Sequence, residues 1–199
     1  MRAVVIPGLA VALAVPLVFA PPARAAASTG TVGRSGGTVT FVPVPGTNSR
    51  VTFYVANDNV RLRVSDPGGI TAGAGCTQTS ATTATCGTVA GVTGLHADGG
   101  DGDDRLAVEY LLAIPADFDG GPGQDILVGG NAADHLQDPD GWPAPPVRAT
   151  FRGSGGDDVI VSRNGGYDRV ECENGNDTVT ADPAALDRVT ATCETVDRG

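Results

Sequence analysis

The chain contains no lysine: all 13 of its basic residues are arginine. That absence excludes a P-loop, which needs Gly-Lys-Ser/Thr, a pyridoxal Schiff base, and a protein kinase with its strand lysine. Glutamate is also scarce, so the 23 acidic residues are almost all aspartate, and aromatic residues make up only 5% of the chain. A formal charge of −10 argues against nucleic acid as a partner, because a phosphate backbone asks for a basic face. What the chain has in quantity is glycine, 29 residues in 199, together with aspartate. Aspartate is short, favours turns and offers carboxylate oxygens close to the backbone. The composition therefore points to carboxylates held in tight loops.

Met1-Arg2 and the apolar stretch 3–20, followed by Ala23-Arg24-Ala25, have the order of a secretory signal, so residues 1–25 are expected to be removed on export. Pro7, Gly8 and Pro16 interrupt the stretch and argue against a membrane anchor, and no later segment is apolar enough to span a bilayer. Export would suit the four cysteines, since disulfides persist outside the cytoplasm. Three pairings are open; local pairing, Cys76 with Cys86 and Cys172 with Cys193, is preferred. Zinc is disfavoured because there is no Cys-x-x-Cys and His96 and His135 are isolated, reading as surface or loop residues.

From Thr38 to Val64 apolar residues alternate with polar ones, and Pro45-Gly46, Asn57-Asp58-Asn59 and Asp66-Pro67-Gly68-Gly69 supply turns. Residues 26–96 are thus expected to form a short β module. After His96 a nine-residue period begins. Residues 99–107 and 120–128 fit Gly-Gly-x-Gly-x-Asp-x-apolar-x completely, residues 129–137 fit with Ala132 for the third glycine, and residues 153–161 depart at the second. Weaker copies run from Arg163 to Glu171 and from Cys172 to Thr180.

This pattern resembles the RTX-type calcium-binding repeat of secreted bacterial proteins, over roughly residues 99–180. The resemblance implies a parallel β-roll, in which six residues of each nonapeptide turn, three form a strand, and two nonapeptides complete a coil. The fold class is then all-β: a parallel β-solenoid over residues 97–180, preceded by the β module and closed by a C-terminal cap at 181–199 that is pinned by Cys193. Leu106, Leu127, Leu136, Ile160, Val170 and Val179 would point inward and form a very thin core, too small to offset the entropy of ordering so many residues. Calcium is the expected remedy, since it accepts six to eight oxygen ligands with tolerant geometry. Asp104, Asp125, Asp134, Asp158, Asp168 and Asp177 are the expected side-chain ligands. The resemblance further implies that loop carbonyls near Gly100, Gly102, Gly121, Gly123 and Gly156 complete the shells. Asp103 and Asp157 read as solvent-facing charge. The step from Asp104 to Asp125 is 21 residues instead of 18, and Asp138 to Arg152 interrupts the register, so the facing of the loops is left open; two or three occupied sites are expected.

Enzyme readings are weaker. Gly33-Arg34-Ser35-Gly36-Gly37 lacks the strand and helix that a nucleophile elbow needs, and Asp138-Pro139-Asp140-Gly141 lacks the twelfth-position glutamate of an EF-hand. A β-helical polysaccharide lyase or hydrolase using clustered aspartates is the alternative, but a catalytic pair has no reason to recur every nine residues. The expectation is a secreted, non-enzymatic calcium-binding protein with a structural, adhesive or scaffolding role, and a cell-surface or polysaccharide partner that the sequence does not name.

Overall fold

In a computed structural model, residues 27–140 and 149–199 are described; the proposed signal and the Trp142–Pro146 stretch lie outside the described residues. The period-two pattern near the start forms β1 (Gly30–Ser35), β2 (Thr38–Pro43), β3 (Arg50–Val55) and β4 (Arg61–Ser65). β5 (Ile70–Ala72), β6 (Thr77–Ser80) and β7 (Thr83–Thr88) follow. Among these, β1 with β2, β3 with β4, β4 with β7, and β6 with β7 are antiparallel pairs, as short turns allow.

From β8 (Gly94–Asp98) onward every pairing is parallel. β10 (Ala116–Asp119), β12 (His135–Gln137), β14 (Val159–Val161), β16 (Thr178–Thr180) and β18 (Thr195–Asp197) extend one sheet from β2 and β8. β9 (Arg105–Val108), β11 (Ile126–Val128), β13 (Thr150–Gly155), β15 (Arg169–Asn174) and β17 (Arg188–Val189) extend the other from β3. We call these sheet A and sheet B. The chain crosses between them at every loop and so winds a parallel β-solenoid of about five turns. Consecutive nonapeptides fall in opposite sheets: the copy at 120–128 supplies β11 and the copy at 129–137 supplies β12. No α-helix occurs among the described residues, and none is long and apolar enough to cross a membrane.

The six inward residues expected from the repeat are all fully buried. The core is nevertheless thicker than expected, because rungs outside the motif contribute larger side chains: Leu95 from β8, Phe118 from β10 and Phe151 from β13. The N-terminal strands add Phe41, Phe53 and Leu62 to the same cluster, and Phe53 stacks on Phe118 with ring centroids 5.7 Å apart. The 21-residue step between Asp104 and Asp125 is absorbed by the loop between β9 and β10, which buries Leu112 and Ile114, and Ala116 stands at the register position that Asp134 and Asp158 take in the next two coils. Part of the stability assigned to metal on the basis of a thin core is therefore supplied by ordinary apolar packing.

Cys76 is joined to Cys86 and Cys172 to Cys193, the local pairing preferred from sequence. Disulfides of this kind belong in an oxidising environment. The second fastens the loop before β18 onto β15, closing the last coil.

Candidate metal centre

The sixth-position aspartates end each loop with the side chain turned inward, and all six are buried. The coil geometry sorts them onto two edges. On the edge leading into sheet B, the main-chain N–H of Ser49 donates to Asp104 Oδ1, that of Asp104 to Asp125 Oδ1 at 2.8 Å, and that of Ala149 to Asp168 Oδ1 at 2.8 Å. On the edge leading into sheet A, Ala116 N–H donates to Asp134 Oδ1 at 2.7 Å, Asp134 to Asp158 at 2.8 Å and Asp158 to Asp177 at 2.9 Å. Each carboxylate thus reaches back one coil and spends one oxygen on the neighbouring loop. Two ladders result, and they answer which loops face each other.

The motif's first glycine has a direct cause in this arrangement. A Cβ on Gly99 would lie 2.9 Å from Asp104 Oδ2, and one on Gly120 3.0 Å from Asp125 Oδ2, so glycine leaves room for the inward carboxylate of its own loop. Glycine is required at Gly123 for another reason: a Cβ there would overlap the carbonyl oxygen of Gly102 on the coil before it. Gly100, Gly102, Gly121 and Gly123 stack on the first edge, where Gly102 N–H donates to Pro122 O at 2.9 Å, and Gly156 lies on the second, over Ala132.

The second oxygen of most ladder aspartates has no partner. Oδ2 of Asp104, Asp125, Asp158, Asp168 and Asp177 is buried without a hydrogen bond among the described residues. Asp134 differs, because Gly130 N–H donates to its Oδ2 at 2.6 Å, which makes it the ladder member least in need of a ligand. Burial without a counter-charge pushes these carboxyls up, to about 6 for Asp104, Asp134 and Asp168, about 7 for Asp158 and about 8 for Asp125. An isolated carboxylate in such a position neutralises itself or finds a cation.

The densest cluster includes two residues that the sequence reading discarded with the EF-hand. Asp138 donates its N–H to Val161 O, just as Gly99 and Gly120 donate to Asp119 O and Gln137 O, so it occupies the first-glycine slot of its coil. A carboxylate stands there instead of a hydrogen. Ligand oxygens of Asp125, Asp138 and Asp140 all lie within 4.8 Å of one another. Asp125 Oδ2, Asp138 Oδ2 and Asp140 Oδ1 are each buried with no hydrogen bond. Their remaining oxygens are pinned: Asp125 Oδ1 by Asp104 N–H, Asp138 Oδ1 by Asp140 N–H at 3.2 Å, and Asp140 Oδ2 by Gly123 N–H at 3.2 Å. Burial, then the neighbouring Asp140, pushes Asp138 up to about 9. Three converging oxygens with no nitrogen or sulfur donor make a hard-cation site, suited to calcium more than to zinc.

The ladders also recruit residues beyond the motif. Asp187 Oδ1 accepts from Asp168 N–H, Glu194 Oε2 accepts from Asp177 N–H, and the Ser162 hydroxyl satisfies Asp187 Oδ2 at 2.7 Å. Asp103 and Asp157 are exposed as expected, yet each caps the next loop, at Gln124 N–H and Asn176 N–H. The histidines are not isolated: His96 Nδ1 and His135 Nδ1 lie 3.2 and 2.8 Å from the two oxygens of Asp117, because β8, β10 and β12 are adjacent rungs. Burial pushes the Asp117 carboxyl up, but its bonds to His135 and His96 outweigh this and hold it below its usual range. Comparison with protein-family models, curated proteins and solved structures finds no match for this chain.

Proposed function

We propose that this is an exported calcium-binding protein, RTX-like in its repeat, whose β-solenoid serves a structural, adhesive or scaffolding role. The observation that carries the proposal is the set of seven carboxylate oxygens, from five ladder aspartates with Asp138 and Asp140, buried without a hydrogen bond. An unmet buried carboxylate oxygen is costly, and a divalent cation between coils would meet several at once. Asp125, Asp138 and Asp140 would hold the best-defined ion. Asp104 on the same edge, and Asp158 and Asp177 on the other, would supply further side-chain ligands, with carbonyls of Gly100, Gly102, Gly121, Gly123 and Gly156 as candidates to complete the shells. Calcium there would neutralise the stacked aspartates and tie neighbouring coils together. The inward position of these oxygens supports binding over glycoside chemistry, since a polymer substrate has no access between stacked loops. Export fits the disulfides, and millimolar calcium outside cells would load weak sites.

Calorimetric titration of the chelator-treated protein with calcium, alongside Asp125→Asn, tests the proposal. Saturable binding that loses its tightest component in the variant supports it. Heats no larger than buffer dilution for the parent protein would overturn it.

A further inference from the structure

The arginines are sorted by sheet. Outward-facing positions on the strands of sheet B carry Arg50, Arg61, Arg105, Arg152, Arg169 and Arg188, all exposed, and a half-buried Arg63, against only Glu171 and Glu173. The outer side of sheet A carries Asp98, Asp117, Asp119 and Asp197 and no arginine. In a chain with an acidic excess this segregation puts a basic stripe on one face. Seven rungs, from β4 to β17, span about 29 Å at the usual strand spacing of about 4.8 Å.

Part of the stripe is left uncompensated. Glu171 pairs with both Arg152 and Arg169, Glu173 with Arg152, and Asp58 with Arg61. Among the described residues no carboxylate lies within ion-pair distance of Arg50, Arg63, Arg105 or Arg188. Arg50 stands directly opposite Arg105, and Arg169 opposite Arg188, on adjacent parallel rungs. Like charges so placed repel, and nothing in the packing requires them. Arg50 and Arg105 also line a depression of about 290 Å³ together with Asp103, Asp104, Gln124 and Ile126, with no ion pair formed between the two arginines and the two aspartates.

We infer that the outer face of sheet B binds a linear acidic polysaccharide, whose carboxylates are held by the Arg50–Arg105 and Arg169–Arg188 pairs. Guanidinium groups recognise carboxylates in bidentate fashion, and a linear polysaccharide with regularly recurring uronic acids, such as hyaluronan, repeats its carboxylates along one line as the rungs repeat theirs. The exposed strand segments are short, so the stripe is about one polymer chain wide. Asp103 borders it on the loop that leads into β9, whereas Asp157 stands against the outer face of sheet A with His96, Asp117 and His135. The inference names a partner for the scaffolding role proposed above. The arginine side chains form no ion pair with a ladder carboxylate, and because Arg105 and Arg169 directly follow Asp104 and Asp168, calcium binding is read beside polymer binding to tell the two losses apart.

The test is calorimetry of the full protein in calcium against hyaluronan, with neutral dextran, duplex DNA and phosphatidylglycerol vesicles as comparators. Calcium binding and circular dichroism are followed on the same samples. Hyaluronan is expected to bind, to weaken on the order of tenfold between 50 and 200 mM salt through counter-ion release, and to weaken at least tenfold in Arg50→Ser/Arg105→Ser. Asp117→Asn, on the opposite face, should bind as the parent does. Arg169→Ser/Arg188→Ser is a second variant in case the first does not fold. No hyaluronan binding, undiminished binding by a folded double variant, or tighter binding to DNA or vesicles would overturn the inference whatever the calcium result.

Discussion

Replacing Asp138 by asparagine should move the metal-free and calcium-bound states in opposite directions. In the metal-free protein Asp138 is buried beside Asp125 and Asp140, with Oδ2 unpartnered and its carboxyl pushed from the ordinary 3.8 to about 9. At pH 7 folding must therefore protonate it, which costs up to about 4 kcal/mol for the roughly three units between 3.8 and 7. Asparagine avoids that cost while nearly keeping the shape, and even half the ceiling, about 2 kcal/mol, would raise Tm by about 4 to 8 °C for a chain of this size. With calcium the variant loses one of three converging charges, so affinity should fall at least tenfold, or about 1.4 kcal/mol. Scanning calorimetry in chelator and in saturating calcium, with a calcium titration, reads both effects. A variant less stable than the parent in chelator, or equal to it in calcium affinity, would refute the reasoning.

The raised carboxyls also set a pH dependence: with folded values of about 6 to 9 over an unfolded 3.8, the stability is fully present below about pH 4 and lost as pH rises through that range. The Tm of chelated protein should fall from pH 5 to pH 9, and calcium should flatten the fall; a rise in chelator would contradict this. Gly123→Ala should destabilise by about 2 kcal/mol or more in urea unfolding, because its Cβ overlaps Gly102 O. Cys172→Ser/Cys193→Ser opens a link spanning 21 residues, worth about 3 kcal/mol, and should speed amide exchange in β16 and β18 before the N-terminal strands. Phe118→Ala should cost about 3 to 5 kcal/mol in both calcium and chelator, separating the apolar core from the metal sites.

The repeat made the solenoid legible because its physical demands coincide: glycine beside an inward carboxylate, an aspartate to cap the next coil, and one apolar residue facing in. Where a rung meets those demands differently, sequence reasoning lost it. The loop after β9 buries Leu112 and Ile114 and puts Ala116 at the aspartate's register position, and β8, β10 and β13 carry no complete motif, so their share of the core is not legible in the sequence. Asp138 reads as the start of an interruption in the sequence, because only coil register shows that it fills a first-glycine slot. His96, Asp117 and His135 are far apart in sequence yet sit on successive rungs of sheet A, a nearness that depends on knowing the length of each coil. The arginine sorting was hidden for the same reason, since alternation assigns a side chain to a face only once the strand is placed.

Thermal melting of one preparation in millimolar calcium, in millimolar magnesium and in chelator tests the central claim most directly. A site at a hundredfold excess over its dissociation constant contributes about 2.7 kcal/mol, so calcium should raise Tm by about 5 to 10 °C over chelator, with magnesium close to chelator. Equal melting temperatures and equal β content in all three would contradict the assignment of the buried carboxylates to calcium.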